Sequence, residues 1–250
     1  MIGPILGAGI NAAGMLLGSI IGIARPRGFT PQTESFLKFC IGLFTAFHGL
    51  RLMWMSFSGT FGQVMKQVLL AMLAVVLGRL LGKLLRLQKM SNRAGQYARK
   101  LIETTQPASP NRFSNGFATC AILFCASPLG ILGAILAVLP AGAGGGGYLY
   151  PLGIKAVMDG LAMTGFVRMF GLGAVVSTLP VFVFLSVISL GCTVYVEPLL
   201  RAHGLTDSVN ITGGMLLTVM SLVMFEVKRV ELADYLPAMA VAPLLFWLWK

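Results

Sequence analysis

Residues 151–177 read PLGIKAVMDGLAMTGFVRMFGLGAVVS and hold two opposite charges, Lys155 and Asp159, inside an apolar stretch, with Arg168 near its inner end. Lys155 and Asp159 lie four residues apart, so a helix through this stretch sets them on one face, within pairing distance. At a bilayer centre a lone charge costs roughly 2.5–3.5 kcal/mol on insertion scales, so the pair must face protein or a water-filled cavity. The small residues around it, Gly153, Ala156, Gly160, Gly171 and Gly173 among them, let neighbouring helices approach closely. The stretch predicts a membrane helix with a polar site on it.

The rest of the chain fits that solvent. Of 250 residues, 56% are hydrophobic and only 11% charged, with a mean hydropathy of +0.85. A soluble domain carries about a quarter charged residues, so this chain has more apolar surface than water tolerates. The apolar runs are too long and too rarely alternating for a transmembrane barrel. One membrane domain over residues 1–250 is expected, all-α, a polytopic transmembrane helical bundle.

The formal charge of +11 does not point to nucleic acid. The cations gather at residues 83–112 and in short links between apolar runs, as in cytoplasmic loops beside an anionic leaflet. No aromatic-rich basic recognition motif accompanies them. The four cysteines, Cys40, Cys120, Cys125 and Cys192, match no zinc spacing and are expected to be buried, reduced thiols. The first apolar run has its arginines, Arg25 and Arg27, after it rather than before it. It is therefore expected to be retained, with its N-terminus outside.

About eight spans are expected. The first, residues 2–24, carries a small-residue ridge, Gly14, Gly18 and Gly22, and a mid-membrane amide, Asn11, which serves either as interhelical glue or as a site ligand. The second, residues 36–57, bears His48 and Arg51, both expected to snorkel towards the surface; the alternative for His48 is a proton acceptor. The third, 67–87, leads into a basic cytoplasmic connector at about 88–112, an amphipathic helix and then a linker closed by PASP. The fourth, 117–139, contains Ser127-Pro128, where the helix should kink or break. A glycine-rich external loop precedes the fifth span, 151–170, for which a re-entrant segment is the alternative. The sixth, 172–196, stops at Glu197-Pro198. The seventh, 209–225, opens with Asn210 and Thr212, and the eighth is 235–249. A weak echo between residues 3–8 and 127–134, and between 38–43 and 155–161, is compatible with an inverted repeat with interrupted helices.

Several stretches resemble one family. Asn11-x6-Gly18-Ser19-x2-Gly22, Phe124-Cys125 with Pro128, Gly130 and Gly133, Ile154-Lys155 with Asp159-Gly160, Thr212-Gly213-Gly214 and Leu236-Pro237-Ala238 are similar to motifs of the YqgA/YdfK-like membrane proteins, domain-of-unknown-function group 554. Ser127 and Asp234 stand where the family has glycine and asparagine, and an acidic dipeptide is replaced by the glycine-rich loop. The resemblance implies a multi-spanning bacterial inner-membrane protein and supplies no substrate.

Two functions fit the residues. One is a transporter or channel-like permease for a small ion or solute, with a site between the two halves of the chain. There Asp159 binds a cation or proton, Lys155 is its counter-ion, and Asn11, Ser127, Ser177, Asn210 and Thr212 are further polar ligands. The other is a non-transporting scaffold or regulator acting through a protein partner at the basic connector. For Lys155/Asp159 a purely structural ion pair is the alternative to a site. Enzymatic activity is not expected, since neither a nucleophile–His–acid set nor HExxH is present. No cofactor or metal is implied. The expected partners are the lipid bilayer, a small ion or solute, and another copy of the chain through the glycine ridges.

Overall fold

The computed structural model describes residues 3–25, 28–105, 110–142, 146–227 and 230–249. Arg27, most of the PASP closure, the middle of the glycine loop, the Lys228-Arg229 turn and Lys250 lie outside them. Among the described residues the backbone is helical, and the only strand-like pairing is one bridge between Pro140 and Gly147.

Helix α1 (Gly3–Ala24) is 22 residues long, about 33 Å at 1.5 Å per residue, enough to cross about 30 Å of hydrocarbon. Helix α2 (Pro31–Ser56) starts five residues earlier than expected. Thr30 accepts the Thr33 amide at its N-terminus, and Pro31 sits in the first turn, where no hydrogen bond is lost. Helix α3 (Phe61–Leu84) also starts early, because the Thr60 amide is taken by Gln63 Oε1 at 2.7 Å. The first turn of α2 is polar, and hydropathy alone leaves it out.

The connector folds as α4 (Leu87–Thr104), an amphipathic helix as expected. Its first turn is tied to the far end of the chain: Gln88 donates its amide to Asp234 Oδ1 at 2.8 Å and accepts from the Ala233 amide. The expected fourth span is broken, with α5 (Arg112–Cys125) and α6 (Pro128–Leu136) bent by 55° at Ala126-Ser127. Then come α7 (Tyr150–Phe170), α8 (Leu172–Val176) and α9 (Thr178–Gly191).

The sixth span does not stop at Glu197-Pro198. Residues Cys192–Val196 form a π-helical turn, with the Glu197 amide reaching back five residues to the Cys192 carbonyl. That looser turn carries the chain past Pro198 into α10 (Glu197–His203), so Leu172–His203 runs on as one apolar unit. Helix α11 (Thr206–Met224) and a short α12 (Ala238–Leu248) complete the bundle.

Five of these units, α1, α2, α3, Leu172–His203 and α11, are long and apolar enough to cross a membrane, and α5–α6 makes six if the bent pair is one span. The expected count of eight is not reached on that criterion. Helix α7 is long enough but carries Lys155, Asp159 and Arg168, and α12 has only 11 residues.

Close approach sets the packing. A β-carbon at Gly14 would overlap the Ala156 carbonyl, one at Gly18 the Gly160 carbonyl, and one at Gly22 the Thr164 carbonyl. The numbers rise together, so α1 and α7 run parallel in contact. Whatever depth α1 crosses, α7 crosses with it. By the same reading α2 is antiparallel to α11 (Gly42 on Met224, Gly49 on Gly214), and α3 to the segment that leads into α12 (Gly78 on Ala238, Gly82 on Asp234). Two apolar cores result. One joins α1, α5, α7 and α9 through Met15, Phe124, Met163 and Leu185. The other joins α2, α6, α11 and α12 through Leu52, Leu132, Leu217 and Met239. In this arrangement the ends of α1, α3 and α7 and the cations of α4 all gather at one end of the bundle.

The ridge makes a direct prediction. Gly18→Leu should destabilise the protein by about 1–3 kcal/mol through overpacking. Gly9→Ala, at a helical position with nothing within 4 Å of the new methyl, should be neutral or stabilise by up to about 1 kcal/mol. Melting temperatures of the two variants in one detergent check this.

Candidate functional site: a buried ion pair at a broken helix

Pro128 has no amide hydrogen. In a continuous helix its amide would bond the carbonyl four residues back, at Phe124, so the α5–α6 break leaves that carbonyl open. Lys155 fills the gap from α7, with its Nζ donating to the Phe124 oxygen at 3.2 Å and to Asp159 Oδ2 at 2.5 Å. It also stands 5.7 Å from the centre of the Phe124 ring. Gly130, in the first turn of α6, makes room for the lysine stem: a β-carbon there would sit 2.8 Å from Lys155 Cε. Lys155 is 1% exposed and Asp159 7%.

The third member is Asn11 of α1. Its side chain lies near the Asp159 carboxylate, and its Nδ2 is 3.7 Å from Met15 Sδ. Asn11 is fully buried, and its Oδ1 has no hydrogen-bond partner. One acceptor is thus left open beside a carboxylate, away from water. Such an orphan costs about 1–3 kcal/mol.

The other expected site residues divide. Ser127 is half-buried at the start of α6, in the break itself, with its carbonyl accepting from the Gly130 amide. Ser177 is not part of the constellation: its hydroxyl donates to the Ala174 carbonyl at 2.6 Å. Thr212 donates to Ser208 in its own helix at 2.8 Å. Asn210 belongs to the 140s loop, with Nδ2 on the Pro140 carbonyl at 2.8 Å and Oδ1 unpaired. All four cysteines are free, but only Cys120 is buried as expected; Cys125 and Cys192 are half-buried and Cys40 is exposed.

Two features escape a reading by residue type. The Phe124 ligand is backbone, hidden behind an apolar side chain. The second is an aromatic cluster. His48 does not snorkel and is 3% exposed, because Tyr148 and Tyr150 of the YLY segment fold over it. The Tyr148 hydroxyl donates to the His48 carbonyl at 2.8 Å and lies 2.9 Å from Nδ1. With its one hydrogen so used, Tyr148 accepts there, so Nδ1 carries the proton. Tyr150 stacks on the imidazole at 3.8 Å, and Arg51 stands 5.6 Å over the Tyr150 ring. This cluster joins α2 to α7 at the end opposite the cations of α4. Towards the basic end the same two helices part around a 260 Å³ groove lined by Glu34, Lys38, Met158 and Ala162.

A family described as "Protein of unknown function (DUF554)" matches residues 6–247. The chain belongs to that family. No curated protein and no solved structure matches it. The match takes in Asn11, the α5–α6 break and the Lys155/Asp159 pair, so in this DUF554 chain the whole constellation lies within the matched region.

The pair's dependence on each partner is measurable. Lys155→Met leaves Asp159 buried alone and should cost about 3–5 kcal/mol. Lys155→Met with Asp159→Leu should be less destabilised than the single variant, since no unpaired charge remains. Unfolding curves in detergent compare the two, and a double variant as unstable as the single one would contradict the reading.

Proposed function

We propose that this membrane protein is a transporter or channel-like permease for a small ion or solute, with Asp159, Lys155 and Asn11 as its binding groups. The observation that carries the reading is the open Asn11 Oδ1, fully buried beside the Asp159 carboxylate at a broken helix. A structural ion pair has no need of a third polar group with a free acceptor. A cation, or a donor group on a solute, satisfies that oxygen and competes with Lys155 for the carboxylate at the same time. Interrupted helices at membrane depth are tolerated where the freed backbone is buried in protein or lines a cavity, and they form the solute sites of many transporters.

The groove between α2 and α7, lined by Met158 and Ala162 but not by Asp159, Lys155 or Asn11, is the proposed route of approach. It is open at the basic end, and the His48–Tyr148–Tyr150 cluster closes the two helices together at the other. Basic residues favour the cytoplasmic face of a bacterial inner membrane, so the proposed access is cytoplasmic.

A thermal-stability screen of the purified protein against inorganic cations and small amines tests the proposal. A ligand at 100 times its dissociation constant should stabilise the folded state by about 2.7 kcal/mol. The expected hit protects the wild type and fails to protect Asp159→Asn and Asn11→Ala. A hit that protects all three equally binds elsewhere and would remove these residues from the site.

A further inference from the structure

We infer that the basic end of α7 carries a phosphate-binding site built by Arg25 and Arg168, separate from the Lys155/Asp159 constellation. Three guanidinium groups converge where α7 ends, and none has a carboxylate within ion-pair distance among the described residues. Helix termination explains part of this. Arg112 donates to the Met169 carbonyl at 2.8 Å and the Arg168 carbonyl at 3.0 Å, capping the last turn of α7, where positive charge is favoured.

It does not explain the rest. Arg168 uses only Nε on its own helix, at 2.8 Å from the Thr164 carbonyl. Its Nη1 and Nη2 lie over Gly28, where a β-carbon would be 2.9 and 3.3 Å away. Gly28 therefore keeps the planar fork clear. Arg25 lies over the Phe29 ring at 5.9 Å, and its guanidinium has no described hydrogen bond. Both arginines line one small pocket with Gly22, Phe29 and Thr164. Two uncompensated forks side by side repel each other, and a bound oxyanion reverses the sign of that interaction. Arginine forks match phosphate geometry in a bidentate manner.

The surroundings fit a phosphate ester at a membrane surface. On its other side Arg168 borders a 340 Å³ pocket walled by Ile23, Val167, Gly171 and Leu172. Ile23 and Leu172 are exposed apolar side chains in the last turn of α1 and the first of α8. A phospholipid headgroup would set its phosphate on the forks and its glycerol and first methylenes against this wall. Inorganic phosphate would use the forks alone.

Melting curves in a non-ionic detergent separate the sources, with phosphatidylglycerol, phosphatidylcholine or inorganic phosphate added to wild type, Arg25→Gln and Arg25→Gln/Arg168→Gln. Stabilisation of the wild type by phosphatidylglycerol, with half-effect at about tenfold higher lipid in Arg25→Gln and no effect in the double variant, supports the site and assigns it to anionic lipid. The same pattern with inorganic phosphate supports the site as one for a free anion. Equal shifts in all three proteins, equal shifts with phosphatidylcholine, or no shift of the wild type with either phosphate source would overturn it. Should the double variant fail to fold, the half-effect concentration in Arg25→Gln decides, since that side chain is exposed and lies outside α1.

Discussion

The missing amide hydrogen of Pro128 is met by a lysine from another helix, and much of the site's geometry follows from that exchange. A carbonyl left open inside a packed helical bundle needs a donor. Lys155 supplies it at 3.2 Å but brings a charge that must itself be neutralised. Asp159, one turn along the same helix, does so, and Asn11 completes the carboxylate's surroundings from α1. Each group is costly alone and tolerable in company. The chain of partners stops at Asn11 Oδ1, and the proposed function rests on that unpaired acceptor.

Holding α7 against α1 makes this geometry rigid. Gly14, Gly18 and Gly22 bring the α7 backbone so close that the register between the helices is set by carbonyl contacts rather than by side-chain packing. Asn11, one turn before Gly14, is thereby held against α7. Meanwhile α2 touches α7 mainly through the His48–Tyr148–Tyr150 cluster and diverges below it. The tight α1–α7 unit and the lighter α2–α7 contact give the molecule one fixed seam and one with a groove along it.

Much of this was legible in the sequence. The i, i+4 spacing of Lys155 and Asp159, the helix break at Ser127-Pro128, the glycine ridge of α1 and the amphipathic connector all depend on local pattern, and each is present. The carbonyl partner of Lys155 was not legible, because it depends on bringing residues 124 and 155 together in space. Ser177 and Thr212 misled for the opposite reason: a hydroxyl in a helix can satisfy itself on a carbonyl three or four residues back, and these two do. Glu197-Pro198 read as a stop because proline ends an α-helix, whereas a π-helical turn just before it carries the chain through. His48 read as a surface group because the residues that cover it lie 100 positions away, in a loop whose glycines hid its two tyrosines.

The most direct test of the central claim is a double-mutant cycle between Pro128→Ala and Lys155→Met, read by reversible unfolding in detergent. An alanine at 128 restores an amide that can take the Phe124 carbonyl, so Lys155→Met should cost less on that background, with a coupling of about 0.5–3 kcal/mol. Additive losses would mean that Lys155 is not there to serve the broken helix, and would contradict the account.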